Sequence, residues 1–179
     1  LLAAAAVGIS RGLILSQVAS ALGKHAPPRG RMNIVPGINE STIIDDSYNS
    51  SPDALREALL VLGKIETTGK KIAVLGDMME LGKYSIEEHK KAIELARQMA
   101  QVVVTVGQRM KTGGEGVVSF TTSQEAADYV RGIVGKGDVV LVKGSQSMRM
   151  ERVSKVLLAE PEKAEQLLVR QDAEWMARK

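Results

Sequence analysis

The sequence predicts an α/β fold in which helices cover both faces of a mainly parallel β-sheet. Short apolar segments rich in β-branched residues alternate with segments whose apolar residues repeat at helical spacing, and short loops join them. Residues 71–75 are almost wholly apolar, as expected for a strand that is covered on both faces. Strands are predicted at residues 42–45, 71–75, 102–106, 117–120 and 138–142.

The helices between these strands are predicted from their capping residues. Ser51 can cap the first of them, Pro52 suits its first position, and Gly63 is expected to end it. Residues 85–88 and 122–125 have the capping-box pattern, in which a hydroxyl residue and a glutamate three positions later satisfy each other's backbone amides. The inward candidates of the helix after residue 85 are Ile86, Ile93 and Ala96.

The composition is that of a globular protein and excludes several kinds of function. The 179 residues carry a net charge of +3 with scattered basic residues, so no nucleic-acid partner is predicted, although an anionic nucleotide ligand would suit. The absence of cysteine excludes disulfides and thiolate catalysis. His25 and His89 lie far apart, so no metal site is predicted. We expect a cytoplasmic monomer.

The first 30 residues are expected to be helical and to end at a domain boundary. The apolar run 1–9 is shorter than the ~20 residues that span a bilayer, so no membrane segment is predicted. We interpret the chain as a piece of a longer protein that starts inside an alanine-rich buried helix ending at Gly8. A second helix is expected to end at Gly23, and the two prolines in residues 25–30 indicate a linker.

The end of the chain carries a different pattern. Residues 161–179 are predicted to form a charged, partly amphipathic helix. Leu167, Leu168 and Trp175 are the residues that could dock it against the domain. The pattern indicates neither its packing surface nor a role for it.

Polar loops follow the predicted strands at their carboxyl ends, where open parallel sheets bind ligands. These loops are residues 45–51, 76–84, 107–114 and 143–147. In the first, an aspartate could accept from both hydroxyls of a ribose, and a tyrosine or an asparagine could flank a purine. The alternative is an Asx turn with capping serines, which such residues also form.

Other polar residues have both a functional and a structural interpretation. Arg31 could clamp a phosphate or be a solvated surface residue. Residues 143–145 could bind a carboxylate or a phosphate, or could form a turn. The acids of residues 76–82 could hold a metal, but we favour caps and solvated charges. His89 is expected to be a packed or hydrogen-bonded residue at the helix surface.

The sequence contains no motif that cradles phosphates. Neither G-x-x-x-x-G-K-[ST] nor G-x-G-x-x-G after a strand is present. The chain by itself is therefore not expected to be an ATPase or a dinucleotide enzyme. We expect it to contribute to a site that other sequence completes, and we assign no catalytic residue within it.

Four motifs, occurring in the family's order over about residues 30–155, resemble the Mur ligases. Each motif is weak alone, and the combination is specific. They are Gly30-Arg31-Met32, then Ile44-Asp45-Asp46-Ser47-Tyr48-Asn49 with Pro52, then residues 75–82 with Ser85 and His89, then residues 141–145 with Ser147, Met148 and Glu151.

The resemblance implies a three-domain enzyme. Residues 1–30 would be the helical end of its central ATPase domain with the linker, residues 31–158 its Rossmann-like carboxy-terminal domain, and residues 159–179 a helical tail. The branch of the family that is most resembled joins D-alanyl-D-alanine to UDP-N-acetylmuramoyl-tripeptide in peptidoglycan synthesis. ATP and Mg²⁺, bound mostly by the central domain, would activate the substrate carboxylate as an acyl phosphate.

The resemblance also implies roles for individual residues. Arg31 would approach the nucleotide phosphates, and Asp46 would hold the ribose. Tyr48 and Asn49 would lie near the adenosine. These four positions form the expected cofactor site.

The expected substrate site comprises Lys143 and Ser145, which would face the acceptor dipeptide or the peptide end of the nucleotide substrate. The chain departs from the family pattern nearby, because Gln146 stands where arginine is frequent. This exchange removes a cation near the expected acceptor site. Ser50 and Ser51 replace the usual alanine and asparagine, which keeps a loop that can cap a helix.

Two alternative functions stay open. Another Mur-type ligase, or one that adds glutamate to folate, is disfavoured by residues 47–49, since those relatives tend to carry histidine there. A non-catalytic nucleotide-binding module with the same fold is the second alternative.

Overall fold

A six-stranded sheet forms the centre of the protein, of which the computed structural model describes residues 1–25, 27–113 and 116–177. Its strands are β1 (Asn33–Pro36), β2 (Thr42–Asp46), β3 (Lys71–Gly76), β4 (Val102–Val106), β5 (Val118–Phe120) and β6 (Val139–Lys143). They lie in the order β1-β2-β6-β3-β4-β5. Every neighbouring pair is parallel except β1 and β2, so the predicted mainly parallel sheet is confirmed.

Helices cover both faces of this sheet. The main covering helices are α3 (Pro52–Lys64), α4 (Ser85–Met99), α5 (Ser123–Ile133) and α6 (Glu151–Leu157). The other helices are α1 (Leu2–Ser10), α2 (Leu15–Gly23), α7 (Ala164–Leu167) and α8 (Ala173–Ala177). Side chains alternate along β3, so Ile72 and Val74 join the buried cluster under α5 and α6. Ala73 and Leu75 join the cluster under α3 and α4. The predicted two-faced arrangement is therefore present.

Strand β1 was not among the predicted strands. It is short, it ends in Pro36, and it pairs antiparallel with β2 at the edge of the sheet, where a proline is tolerated. The turn that follows it places Asn39 and Glu40 in the left-handed region, with φ of 56° and 57°. So few residues cannot show the alternating apolar pattern of a strand, and β1 could therefore not be predicted from the sequence.

Helices α1 and α2 differ from their prediction. Gly8 does not end α1, which continues to Ser10 before Gly12 reverses the chain with φ of 86°. The two helices pack against each other, but no residue of α1 is buried, and Val18 is the buried residue of α2. The described residues of this chain therefore do not provide the burial that was expected for α1. None of the helices in the described ranges is long and apolar enough to cross a bilayer.

Two predicted helix ends are also wrong, for identifiable reasons. Residue Ser85 does not cap α4 but forms its first residue, with its backbone oxygen accepting a hydrogen bond from His89. Ile86 consequently points to solvent and is 75% exposed. Helix α3 continues through Gly63 and ends at Lys64. Gly63 has no side chain, and Met99 occupies the space that a β-carbon there would need.

The predicted terminal helix is replaced by shorter elements. Residues Pro161–Lys163 form a 3₁₀ turn, α7 and α8 follow, and an extended segment lies between these helices. Arg170, with φ of 57°, interrupts any continuous helix here. Leu168 is fully buried in the core, as the docking prediction required. Some residues of the predicted linker, loop and terminal helix lie outside the described part of the chain, namely Ala26, Gly114, Arg178 and Lys179.

The capping box of α5 gives a stability prediction. Thr122 Oγ1 accepts from the Glu125 amide at 3.3 Å, and the Glu125 carboxylate accepts from the Thr122 amide at 2.9 Å. Thr122→Ala is therefore expected to lower the free energy of unfolding by about 1 kcal/mol, measured by urea denaturation. Ser85→Ala is the matched control, with an expected loss below about 0.5 kcal/mol. Equal losses in the two variants would contradict the assignment of the caps.

Candidate functional site

The candidate site lies at the carboxyl ends of the three adjacent strands β2, β6 and β3. The sheet order brings together the loops that follow these strands, although they are far apart in the sequence. Arg31, Asp46, Tyr48, Asn49 and Lys143 all line one cavity of about 360 Å³. A neighbouring cavity of about 840 Å³ contains Asn49, Ser145 and Gln146 in its lining. The residues selected from the sequence therefore lie around two adjoining cavities.

A buried ion pair joins the ends of β2 and β6. Asp46 and Lys143 are register partners in these parallel strands, and Lys143 Nζ lies 2.7 Å from Asp46 Oδ2. Lys143 Nζ also donates to the backbone oxygen of Asn49 at 2.9 Å, and Asp46 Oδ1 accepts from the Met32 amide at 3.0 Å. Lys143 thus fixes the turn after β2 from beneath, in addition to lining the cavity.

The linker is fastened to the same turn. Tyr48 donates its backbone amide to the oxygen of Gly30 at 2.9 Å, and Gly30 has a φ of 69° that favours glycine. The Arg31 guanidinium lies 4.4 Å from the centroid of the Tyr48 ring, within the range of cation–π attraction. Tyr48 as a residue is 41% exposed and lines the cavity, so it is accessible to a ligand.

Asp45 and Asp46 lie on opposite sides of β2 and have different environments. Asp45 is fully buried, and Ser154 Oγ donates to its Oδ1 at 2.7 Å. Burial raises the pKa of Asp45 from 3.8 to about 6, against the opposing effect of the Ser154 hydrogen bond. The negative charges of Asp46 and Glu151 act on the pKa in the same direction as burial and contribute to this value. Asp45 is therefore a structural group beneath the turn.

A second charged cluster borders the turn and was not predicted from the sequence. Glu151 is buried between two arginines, with Arg149 Nε at 2.5 Å and Arg170 Nη1 at 3.2 Å from its carboxylate oxygens. Arg170 also donates to the backbone oxygens of Ser47 and Tyr48, at 3.3 Å and 2.8 Å. Arg170 lies far from the turn in sequence, so no local pattern could have indicated these contacts.

In the acidic loop after β3, Asp77 caps backbone amides, which is the structural role that the sequence analysis favoured over a metal site. The Asp77 carboxylate accepts from the amides of Arg109 at 3.0 Å and Met110 at 2.7 Å. Ser145 Oγ accepts from the Met79 amide at 2.8 Å, so the expected substrate residue Ser145 also supports this loop. Within the described ranges, no group of three or more His, Cys, Asp or Glu residues could hold a metal ion.

His89 is not at the helix surface, contrary to the expectation, because it is fully buried beneath the same loop. Its Nε2 accepts from the Met78 amide at 2.9 Å, so Nδ1 carries the proton and donates to the Ser85 oxygen at 2.6 Å. The neutral ring thereby satisfies one amide of the loop and one carbonyl of α4. It is a structural connection between them.

The fold and the site define an α/β domain of the type that binds ligands beyond the carboxyl ends of parallel strands. Residues 30–146 match the family model described as Mur ligase, glutamate ligase domain. The chain belongs to the Mur ligase C-terminal domain family.

Relatives with established names are similar over most of the chain. The UDP-N-acetylmuramoyl-tripeptide–D-alanyl-D-alanine ligase of Mycobacterium leprae is 34% identical over 89% of this chain and 36% of its own length. The ligase of the same name from Bacillus subtilis is 28% identical over 89% of this chain and 37% of its own length. The chain thus spans little more than a third of these relatives.

Solved structures show the same similarity. The MurF ligase from Thermotoga maritima in complex with ADP matches with a TM-score of 0.67 and 28% identity, over 84% of this chain and 36% of that one. A MurF structure from Acinetobacter baumannii matches with a TM-score of 0.71 and 27% identity, over 83% and 34%. The predicted family and its α/β fold are therefore confirmed.

The buried carboxyl of Asp45 gives a pH-dependent prediction. The unfolded chain loses this proton near pH 3.8 and the folded chain near pH 6, so the contribution of Asp45 to stability falls as pH rises between these values. The difference corresponds to a cost of up to about 3 kcal/mol above pH 6. Asp45→Asn is expected to be more stable than the wild type at pH 7.5, with the gain disappearing near pH 4.

Urea unfolding at the two pH values measures this gain. Asp53→Asn, which removes an exposed carboxylate from the start of α3, is the control and is expected to show no gain that grows with pH. A gain of the same size at both pH values in Asp45→Asn would contradict the role of the buried charge.

Proposed function

We propose that the chain is the carboxy-terminal part of an ATP-dependent ligase that joins D-alanyl-D-alanine to UDP-N-acetylmuramoyl-tripeptide in peptidoglycan synthesis. The observation that carries the proposal is the similarity, over 89% of this chain, to ligases named for that reaction. ATP and nucleotide-linked sugars are cytoplasmic compounds, so a cytoplasmic location belongs to the proposal. A monomer that acts without a membrane or a nucleic acid is part of it as well.

The domain organisation is part of this proposal. Residues 1–30 would be the end of the central ATPase domain with the linker, residues 31–158 the carboxy-terminal domain, and residues 159–179 its tail. The exposed apolar side chains of α1 and α2 support this division, among them Leu2 at 89% and Leu15 at 72% exposure. Several exposed apolar side chains on two short neighbouring helices are typical of a contact with another domain, here the central one.

The residues around the 360 Å³ cavity fit the nucleoside part of ATP. Each Asp46 oxygen accepts one hydrogen bond within the protein and has a further lone pair, which could accept from a ribose hydroxyl. The exposed Tyr48 ring and the Asn49 side chain would lie beside the adenine, and the Arg31 guanidinium would face the phosphates. ATP would supply the phosphoryl group that activates the substrate carboxylate.

The phosphates and Mg²⁺ would be held mainly by the central domain, because this sequence contains no phosphate-binding loop. The task of this domain would then be to close over the nucleotide and exclude water. An activated carboxylate hydrolyses in water, so closure before the amine attacks protects it. Closure would also bring amine and carbonyl into attack geometry, an effect worth up to ~7–11 kcal/mol.

The 840 Å³ cavity would take the acceptor dipeptide or the peptide end of the nucleotide substrate. Ser145 and Gln146 line it, and Lys143 lies behind Asn49 at its border with the smaller cavity. Lys143 would act there chiefly by holding the backbone of Asn49 in place.

The specificity is tested with the full-length protein that contains this chain. Phosphate release is measured with ATP and UDP-muramoyl-tripeptide, with D-alanyl-D-alanine or single amino acids as the acceptor. Turnover is expected with the dipeptide. Turnover with glutamate or a diamino acid, but none with the dipeptide, would overturn the proposal in favour of another Mur-type or a folylpolyglutamate ligase.

The nucleotide site is tested with Asp46→Asn and Tyr48→Ala in the same protein. Each is expected to raise the Michaelis constant for ATP about tenfold, since each removes a contact worth about 1.4 kcal/mol. The thermal unfolding midpoint is measured in parallel because Asp46→Asn weakens the pairing of buried Lys143. Asp53→Asn, at the exposed start of α3, is the control. An unchanged constant in both variants would remove this turn from the ATP site.

A further inference from the structure

The segment from residue 164 to residue 177, named the tail segment here, is fastened to the linker and to the turn after β2. The Arg29 guanidinium donates to the backbone oxygen of Glu165, and Asn33 Nδ2 donates to that of Leu167 at 3.1 Å. Leu168 then anchors the tail segment in the core. The tail segment therefore runs alongside the linker and reaches the cavities from there.

Arg170 makes the contact between the tail segment and the turn. Its side chain is 4% exposed, and its planar donor fork reaches the oxygens of Ser47 and Tyr48 together with the Glu151 carboxylate. A guanidinium can hold three acceptors in fixed directions, which an ammonium cannot. The two peptide groups on either side of Tyr48 are therefore held by a side chain from the tail segment.

Aromatic and guanidinium groups continue from this contact as a stack. Tyr48 is flanked by Arg31 at 4.4 Å and by Arg170 at 5.5 Å, measured from ring centroid to guanidinium carbon. Trp175 is flanked in turn by Arg170 at 5.5 Å and by Arg149 at 5.3 Å. No residue of α8 is buried, so these contacts with Trp175 are a main attachment of that helix.

Trp175 also forms part of the wall of the 840 Å³ cavity, together with the loops that follow β2, β3 and β6. The cavity is thus bordered by the tail segment as well as by the sheet edge. This position distinguishes the segment from a terminal extension that only covers the core.

We propose that the tail segment is part of the ligand site and that Arg170 is a positioning residue for it. Arg170 holds the turn in the conformation that presents Asp46 and Tyr48, and it seats Trp175 as a wall of the larger cavity. The ligand that the turn presents to is a nucleoside triphosphate, and the cavity bordered by Trp175 would take the peptide substrate, so this inference rests on the function proposed above. Arg170 touches neither nucleotide nor substrate in this proposal and acts through the turn.

The test uses Arg170→Met and Arg170→Lys in the full-length protein, with Lys163→Met as the control. Lys163 pairs with exposed Glu160 ahead of the tail segment and lies away from the turn. Arg170→Met is expected to raise the Michaelis constant for ATP about tenfold and to change kcat less than about threefold. Arg170→Lys, which keeps the charge beside Glu151 but loses the fork, is expected to show an intermediate value.

An unchanged Michaelis constant for ATP in Arg170→Met would overturn the inference. A fall in kcat and in the unfolding midpoint without a change in that constant would also overturn it, because it indicates a structural role alone. If Asp46→Asn and Tyr48→Ala raise the constant and Arg170→Met does not, the inference fails and the proposed function stands. If none of them raises it, the nucleotide site itself fails.

The attachment of α8 is measured separately, by a readout that needs no nucleotide. Trp175 is the single tryptophan of this 179-residue chain, so the emission of the full-length protein minus that of its Trp175→Phe variant reports on α8. In Arg170→Met its emission is expected to shift to longer wavelength and its quenching by acrylamide to increase. Emission and quenching equal to those of the wild type would contradict the proposed seating of Trp175.

Discussion

The buried ion pair between Asp46 and Lys143 is the contact on which the geometry of the site depends. Removing two charges from water is costly, and the cost is offset only where further hydrogen bonds complete the pair. Here the Met32 amide and the Asn49 oxygen supply those bonds. The pair thereby ties together the ends of β2 and β6, the linker and the following turn. Loss of one partner would leave an uncompensated buried charge beneath all of them.

Neighbouring carboxylates illustrate how the sheet separates structural from ligand-facing groups. Asp45 and Asp46 are adjacent in sequence, yet strand alternation directs one toward α6 and the other toward the cavity. Asp45 meets the Ser154 hydroxyl in a fully buried position, which raises its pKa. Asp46 meets Lys143 and keeps access to the cavity. The same residue type therefore serves two purposes because of its position on the pleated strand.

The sequence predicted what local patterns control and missed what distant contacts control. Strands β2 to β6, the α3 cap at Ser51 and the α5 capping box followed from periodicity and short-range hydrogen bonding. The capping box predicted at Ser85 is absent, because the Ser85 backbone oxygen accepts a hydrogen bond from His89 within α4. For the site, the rule that ligands bind at the carboxyl ends of parallel strands selected both the turn and the loop at Lys143, and the structure brings the two together. The contacts of Arg170 could not be foreseen, since they join segments at opposite ends of the domain.

The packing around Gly30 has a mechanical consequence for the linker. A β-carbon at this position would lie 3.1 Å from a methyl group of Val169 and 3.2 Å from the β-carbon of Tyr48, so the backbone is wedged between them. The backbone at Gly30 is consequently held against the tail segment and the turn after β2 at the same time. A side chain at this position would separate the linker from both of them in a single step.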